Sequence, residues 1–374
     1  MTSAIEVPFT DLGALAREVW PELSTPFVEA LLAGHYVGGA PVAEFEARFA
    51  EYCGTRHAVG VANGTDALQL TLEALGIGAG DEVVVPANTF VATAAAVVRA
   101  GAAPAFADVD PDTLLITPEI LAAAITPRTR AVAVVPLYGN MPDMDGLGAV
   151  AERAGIALVE DAAQAHGAEW GDRRAGSFGV AGCFSFYPGK NLGAFGDAGA
   201  VVTSDGALAH RIRSLANHGR AGGTAHYEHE FVGTNSRLDT LQALALTAKL
   251  ARNEDWTEAR IALADRYRKR LNGSAVRLTE VHPAARHVYH LMVVRVPQRE
   301  RVQAALAAAG IQSGVHYPVP CHRQPSLRRY ATGPLPVCEQ AAAEQLSLPL
   351  FPHMTRAQVD LVCEVLDQAA GGAR

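Results

Sequence analysis

Ala157-Leu-Val-Glu-Asp161-Ala-Ala-Gln164-Ala-His166-Gly167 opens as a five-residue, mostly apolar run that ends on two carboxylates. A run this short, apolar on both faces, reads as a buried strand of a largely parallel sheet rather than as a helix. Runs of the same kind recur at Glu82-Val-Val-Val-Pro86, Pro104-Ala-Phe-Ala-Asp108, Ala131-Val-Ala-Val-Val135, Cys183-Phe-Ser-Phe-Tyr187 and Ala200-Val-Val-Thr203. Between them, 66–75, 90–100, 118–125 and 145–154 carry apolar residues at helical spacing. That alternation predicts an α/β domain with helices covering a mostly parallel sheet. From about Leu238 one long Ala- and Leu-rich helical stretch is expected to run past Trp256 and Tyr267 to Leu271, where Asn272-Gly273 stops it. A strand at 289–296 and helices at 298–309 and 355–369 complete a smaller C-terminal α+β unit. The expected division is residues 1–250 for the large domain and 251–374 for the small one.

The 374 residues exceed what one hydrophobic core usually organises, which fits two domains. Lys and Arg number 31 against 39 Asp and Glu, a net charge of −8, so no basic surface points to nucleic acid. The five cysteines are scattered without the paired spacing of a zinc cage, and no metal is expected. The N-terminal stretch has Glu6, Asp11 and Glu18 in place of a secretory signal, and no apolar run approaches the roughly 20 residues of a membrane helix. A cytoplasmic protein in a reducing compartment, with no membrane partner, is the expectation.

Three places carry chemistry. Ser185-Phe-Tyr-Pro-Gly-Lys190-Asn-Leu-Gly-Ala-Phe-Gly196 sets one lysine in a glycine-rich loop just after a strand. Glycine permits close backbone approach to a ligand, and a desolvated lysine yields the neutral amine that condenses with an aldehyde as a Schiff base. Asp161 stands at the carboxyl end of its strand, where open α/β sheets hold ligands; a carboxylate there can keep a pyridine nitrogen protonated. The competing role for such an aspartate is a helix cap. Gln164, three residues on, is a donor to a ring hydroxyl. Asn63-Gly64-Thr65-Asp66 precedes a helix whose free N–H groups suit a phosphate, with a plain N-cap as the alternative. Ser185 and Asn235 are further candidate phosphate donors.

Together these segments resemble the DegT/DnrJ/EryC1/StrS family of sugar aminotransferases, which have fold type I, the aspartate aminotransferase-like fold of pyridoxal-phosphate enzymes. The likeness runs through Tyr36-Val-Gly-Gly-Ala-Pro41, Gly60-Val-Ala-Asn-Gly-Thr-Asp-Ala-Leu68, Gly80-Asp-Glu-Val-Val-Val-Pro86-Ala-Asn-Thr-Phe90, Glu160 to Gly167, Phe184 to Gly199, Asn235-Ser-Arg-Leu-Asp239 and His316-Tyr-Pro318. It implies pyridoxal 5'-phosphate bonded to Lys190, with Asp161 on the pyridine nitrogen and Gln164 on the ring oxygen. It also implies Phe90 stacked on the ring, and Gly64, Thr65 and Ser185 on the phosphate. Asn235 resembles a residue that reaches the phosphate of a neighbouring subunit, which implies a homodimer. Asn63 departs from the serine of many relatives, a change that leaves the backbone cradle intact. Arg220, His316 and Tyr317 fall where the family meets the sugar or its diphosphate.

The implied activity is transfer of an amine from glutamate to a nucleotide-linked keto sugar, a dTDP-3-keto-6-deoxyhexose before its 4-keto counterpart. Related possibilities are a cyclitol ketone as acceptor, sugar dehydration on the same cofactor, and a non-catalytic regulator of the same fold. Dehydratases of the family carry histidine in place of the lysine, so Lys190 speaks for amino transfer. A pure regulator has no use for a Schiff-base lysine.

Overall fold

The computed structural model describes residues 7–220 and 227–371. Five of its strands, β1 (His57–Val61), β2 (Glu82–Pro86), β3 (Ala103–Ala107), β4 (Thr129–Val134) and β5 (Ala157–Asp161), precede a small hairpin of β6 (Glu169–Trp170) and β7 (Arg173–Arg174). With β8 (Ala181–Ser185) and β9 (Gly199–Thr203) they build one seven-stranded sheet in the order β1-β9-β8-β5-β4-β2-β3. Neighbours from β3 to β8 pair in parallel, and only β9 runs against its neighbours.

Alternate residues of the strands enter cores on the two faces of the sheet. Val84, Val132, Leu158 and Val202 point into one core with Phe45, Phe49, Phe184 and Phe186, while Val83, Val85, Val159 and Val201 pack on the other face. Both faces of the strands are therefore buried, which is why they lack polar alternation. The aromatic core is held edge-on, with Phe49 and Phe184 ring centroids 4.9 Å apart at 88°. Glu160 is buried on the sheet and accepts N–H bonds from Gly176, Phe178 and Gly179 at 2.7 to 3.1 Å, pinning the turn before β8.

The crossovers are α3 (Gly64–Ala74), α4 (Val91–Arg99), α5 (Pro118–Ala124) and α6 (Met144–Ala154); α7 (Gly206–Ala216) follows β9. They fall within a few residues of the predicted helices. Two N-terminal helices, α1 (Leu12–Leu32) and α2 (Ala40–Cys53), pack against α8 (Thr240–Leu250).

The single long helix expected from 238 to 271 is two helices, α8 and α9 (Asn253–Leu271). Asn253 is fully buried at the break and its Nδ2 donates to Tyr52 Oη at 2.8 Å, while Arg252 pairs with Glu22. Local composition favours helix throughout, but these tertiary bonds turn the chain so that α9 leaves the sheet and enters the second unit.

That unit contains β10 (Arg277–Leu278), β12 (Met292–Arg295) and β13 (Gln345–Leu348) as an antiparallel sheet; β11 (Ala285–Arg286) instead pairs with β6. α10 (Arg299–Ala308), α11 (Pro336–Glu344) and α12 (Arg356–Gly371) complete it. Its core joins Tyr267, Val294, Leu306, Leu346 and Val362 with Val7. Val7 bonds to Gly310 O and to Gln312 N at 2.9 and 3.0 Å. The segment from Val7 to Asp11 thus crosses from the second unit to α1, passing the carboxyl ends of the large sheet.

Candidate active site

Those carboxyl ends open on a cavity of about 570 Å³, and most of the residues singled out by the sequence converge on it. β5 delivers Asp161, β8 delivers Ser185 and then Lys190, the loop after β1 delivers Asn63, Gly64 and Thr65, and the segment after β2 delivers Thr89 and Phe90. The second unit closes the far wall with His290, His316 and Tyr317. Phe9, Thr10 and Leu12 of the N-terminal segment form part of the rim.

Lys190 sits in a loop that the rest of the chain clamps. Its own N–H donates to Tyr187 O at 2.8 Å, Ala194 N to Phe186 O at 2.8 Å, and Asn191 Nδ2 to Val288 O at 3.1 Å. From α8, Lys249 Nζ donates to Gly193 O at 2.6 Å and lies 4.5 Å over the Phe195 ring, and Gln242 Oε1 accepts from Phe195 N at 2.8 Å. Among the described residues the Lys190 amine has no ion-pair partner. Burial lowers it to about 8, and the charge of Asp161 opposes that fall. At pH 7 roughly a tenth of the amine is then neutral, against well under a thousandth for an ordinary lysine.

Asp161 is 6% exposed and burial raises its carboxyl, while a bond from Thr93 and the Lys190 charge pull it back. No helix follows β5 directly, so Asp161 caps none. Gln164 is held at both ends of its amide: Oε1 accepts from Tyr138 N at 2.6 Å and Nε2 donates to Tyr317 Oη at 3.1 Å. Tyr317 stays protonated because burial raises its phenol, and its ring lies 5.3 Å from that of half-exposed Phe90. His316 is lowered to about 4 by burial and then by Lys190, so it is neutral at pH 7, with Nδ1 against Ser347 Oγ at 2.8 Å.

At the start of α3, Asn63 is an N-cap whose Oδ1 accepts from Asp66 N at 2.8 Å. The cap satisfies one of the helix's first N–H groups and leaves those of Gly64 and Thr65 at the cavity wall. A Cβ on Gly64 would lie 2.6 Å from Ser185 Cβ, so glycine is required for Ser185 to close against the helix start. An open helix N-terminus, two hydroxyls, a buried carboxylate and a buried amine with no ion-pair partner among the described residues form a donor set that fits an anionic, ring-nitrogen aldehyde cofactor such as pyridoxal phosphate.

Arg220 and Asn235 do not line this cavity. Both lie on the segment after α7: Asn235 is exposed and bridges Asn217, and Arg220 bridges His229 while its Nε is buried without a partner among the described residues. Residues 221–226, between them, lie outside the described ones. Several cavity residues carry no signal strong enough to find in the sequence. His290, held far below the usual imidazole range by burial and by Lys190, and Thr89 read as parts of a strand and a turn. Among the described residues, no cluster suits a metal ion and no helix is long and apolar enough to cross a membrane.

The profile of the DegT/DnrJ/EryC1/StrS aminotransferase family matches residues 21–367. The chain is 45% identical to the erythromycin biosynthesis sensory transduction protein EryC1 of Saccharopolyspora erythraea, over 98% of this chain and 100% of that one. It is 46% identical to a dTDP-3-amino-3,4,6-trideoxy-alpha-D-glucose transaminase of Streptomyces venezuelae, over 97% and 96% of the two chains. The crystal structure of DesV from S. venezuelae, in complex with a ketimine intermediate, superposes with a TM-score of 0.94 at 46% identity and 98% coverage of both chains. Other solved structures of this fold hold the cofactor as PLP or PMP.

The lowered amine has a measurable consequence. The rate at which cofactor-free protein takes up pyridoxal phosphate covalently, followed by absorbance, should rise with pH through a midpoint near 8. A midpoint near the ordinary lysine value would show that Lys190 is not desolvated as described.

Proposed function

The chain belongs to the DegT/DnrJ/EryC1/StrS aminotransferase family, and on that footing we propose that it moves an amine from glutamate to the 3-keto carbon of a dTDP-linked 6-deoxyhexose. It works as a cytoplasmic homodimer. Pyridoxal phosphate supplies, when bound, the electron sink that lets an amine pass between two carbon skeletons. The single observation that carries the reading is the buried amine of Lys190, without an ion-pair partner among the described residues, facing a buried carboxylate, Asp161, across one cavity.

Each residue of this chain then has a task. Lys190 anchors the cofactor through Nζ and afterwards carries a proton on that atom, which its value near 8 permits in both directions. Asp161 holds a proton on the ring nitrogen. The N–H groups of Gly64 and Thr65, with the Thr65 and Ser185 hydroxyls, bind the phosphate. Phe90 covers the ring and Gln164 binds its oxygen. Neutral His316 and protonated Tyr317 offer hydrogen bonds to sugar hydroxyls without adding charge. Phe9, Leu12 and Leu291 give the cavity an apolar wall that suits the deoxygenated carbons of the sugar. Arg220 pairs with the diphosphate. Asn235, exposed in the single chain, reaches the phosphate of the partner subunit.

Incubation with glutamate and each of three ketones, a dTDP-3-keto-6-deoxyhexose, its 4-keto isomer and a free cyclitol ketone, separates the alternatives. The 3-keto sugar should gain one amine, seen by product mass and regiochemistry, with an equal amount of 2-oxoglutarate. Amination of the 4-keto sugar or cyclitol alone would refute the acceptor and leave the transaminase; no amine transfer to any of them would refute both.

Sedimentation should show a dimer, and dilution to monomer should release cofactor. Asn235→Ala should weaken cofactor binding about tenfold, as loss of a hydrogen bond to a charged phosphate does. Unchanged affinity would remove Asn235 from the site.

A further inference from the structure

Two hydroxyls outside the roles already given converge on Asp161. Thr93 is the third residue of α4, 1% exposed, in a helix otherwise built of Ala, Val and a terminal Arg. Its Oγ1 donates to Asp161 Oδ2 at 2.6 Å. Thr89, 3% exposed on the cavity wall, has its Oγ1 2.9 Å from that of Thr93. Thr93 has one hydroxyl hydrogen and spends it on the carboxylate, so Thr89 is the donor between the two. A directed chain therefore runs from Thr89 through Thr93 to Asp161.

A buried helical threonine ordinarily bonds back to the carbonyl one turn earlier, as Thr71 does to Ala67 O at 2.7 Å. Thr93 instead points across to the sheet. Its bond is the one short hydrogen bond Asp161 receives among the described residues, since the contact of Ala163 N with Oδ1 is 3.4 Å. The other groups facing Asp161 are Lys190 from the clamped loop, Cys183 on β8, and Tyr317 and Cys321 from the second unit. Burial holds both thiols and the phenol protonated, which leaves Lys190 as the other charge facing Asp161 among the described residues. A carboxylate this buried goes neutral unless hydrogen bonds favour its charged form.

We propose that Thr93, backed by Thr89, is a positioning residue that fixes the Asp161 carboxylate and keeps it ionised for the ring nitrogen of the cofactor. The proposal rests on the transaminase reading above. Its sign is definite: burial raises the Asp161 carboxyl and the Thr93 bond lowers it, so removing the bond raises it further. The charged form then disappears at a higher pH as the solution is acidified.

The test is equilibrium titration of cofactor-free protein with pyridoxal phosphate across pH, alongside the pH profile of amine transfer by the loaded enzyme. Thr93→Val preserves shape; its acid midpoint for cofactor binding should move up by roughly half a pH unit or more, with affinity below that midpoint down about threefold or more. Thr93→Ser should restore the wild-type midpoint, and Thr89→Val should move it in the same direction by less. Asp161→Ala should lose the acid limb and slow transfer by on the order of a thousandfold or more, about 4 kcal/mol of barrier. A Thr93→Val curve that superposes on wild type, or is weakened equally at every pH, overturns the proposal. Should Thr93→Val not fold, Thr89→Val decides it: a midpoint that stays at the wild-type value in that variant overturns it. A wild-type protein that binds cofactor but moves no amine refutes the transaminase reading separately, because the binding midpoint is still read.

Discussion

A buried amine and a buried carboxylate face one cavity without closing into an ion pair, and the rest of the structure follows from that constraint. Either group alone would shed its charge there. Together they raise each other's ionised fraction: Asp161 partly offsets the fall of Lys190, and Lys190 partly offsets the rise of Asp161. A direct contact would lock both as a salt bridge and leave no reactive amine. The fold keeps them facing but apart by mounting Asp161 rigidly at the end of β5 and Lys190 on a loop clamped from α8 and from Val288.

The clamp has a physical cost that shows in Lys249. Burial lowers its amine to about 8 as well, yet it has a carbonyl acceptor in Gly193 and the face of Phe195, so its role is to brace. Two lysines with similar values thus do different work, and partners distinguish them: Lys249 is bonded, and among the described residues the Lys190 amine is not. The same contrast separates Glu160 from its neighbour Asp161. Glu160 is held by three backbone N–H groups on the closed side of the sheet, and Asp161 looks into the cavity.

Much of this was legible in the sequence, and the reason is physical. Buried parallel strands must be apolar on both faces, so the runs at 82–86, 131–135 and 157–161 mark themselves, and the carboxyl ends of such strands are where ligands sit. Asp161, Ser185 and Lys190 were readable because polar residues at those ends break the pattern. Thr93 was hidden because one threonine scarcely disturbs an Ala-Val helix and its partner lies 68 positions away. The break between α8 and α9 was hidden because Tyr52, which holds Asn253, is distant in sequence. Phe9 reaches the rim through the pairing of Val7 with Ile311, its own bond to Gln312 and its stacking on His316, which no local pattern announces. Arg220 and Asn235 rest on family likeness, since in one chain they stand outside the cavity.

Everything assigned to the cavity depends on Lys190 being the amine that holds the cofactor. Borohydride reduction of the cofactor-loaded protein, followed by digestion and mass mapping, reads this directly. The account predicts one cofactor per chain, fixed to the peptide that contains Lys190, with the equally low Lys249 unlabelled. Label on Lys249 or any other lysine, or cofactor that washes free of the loaded protein after reduction, would contradict it.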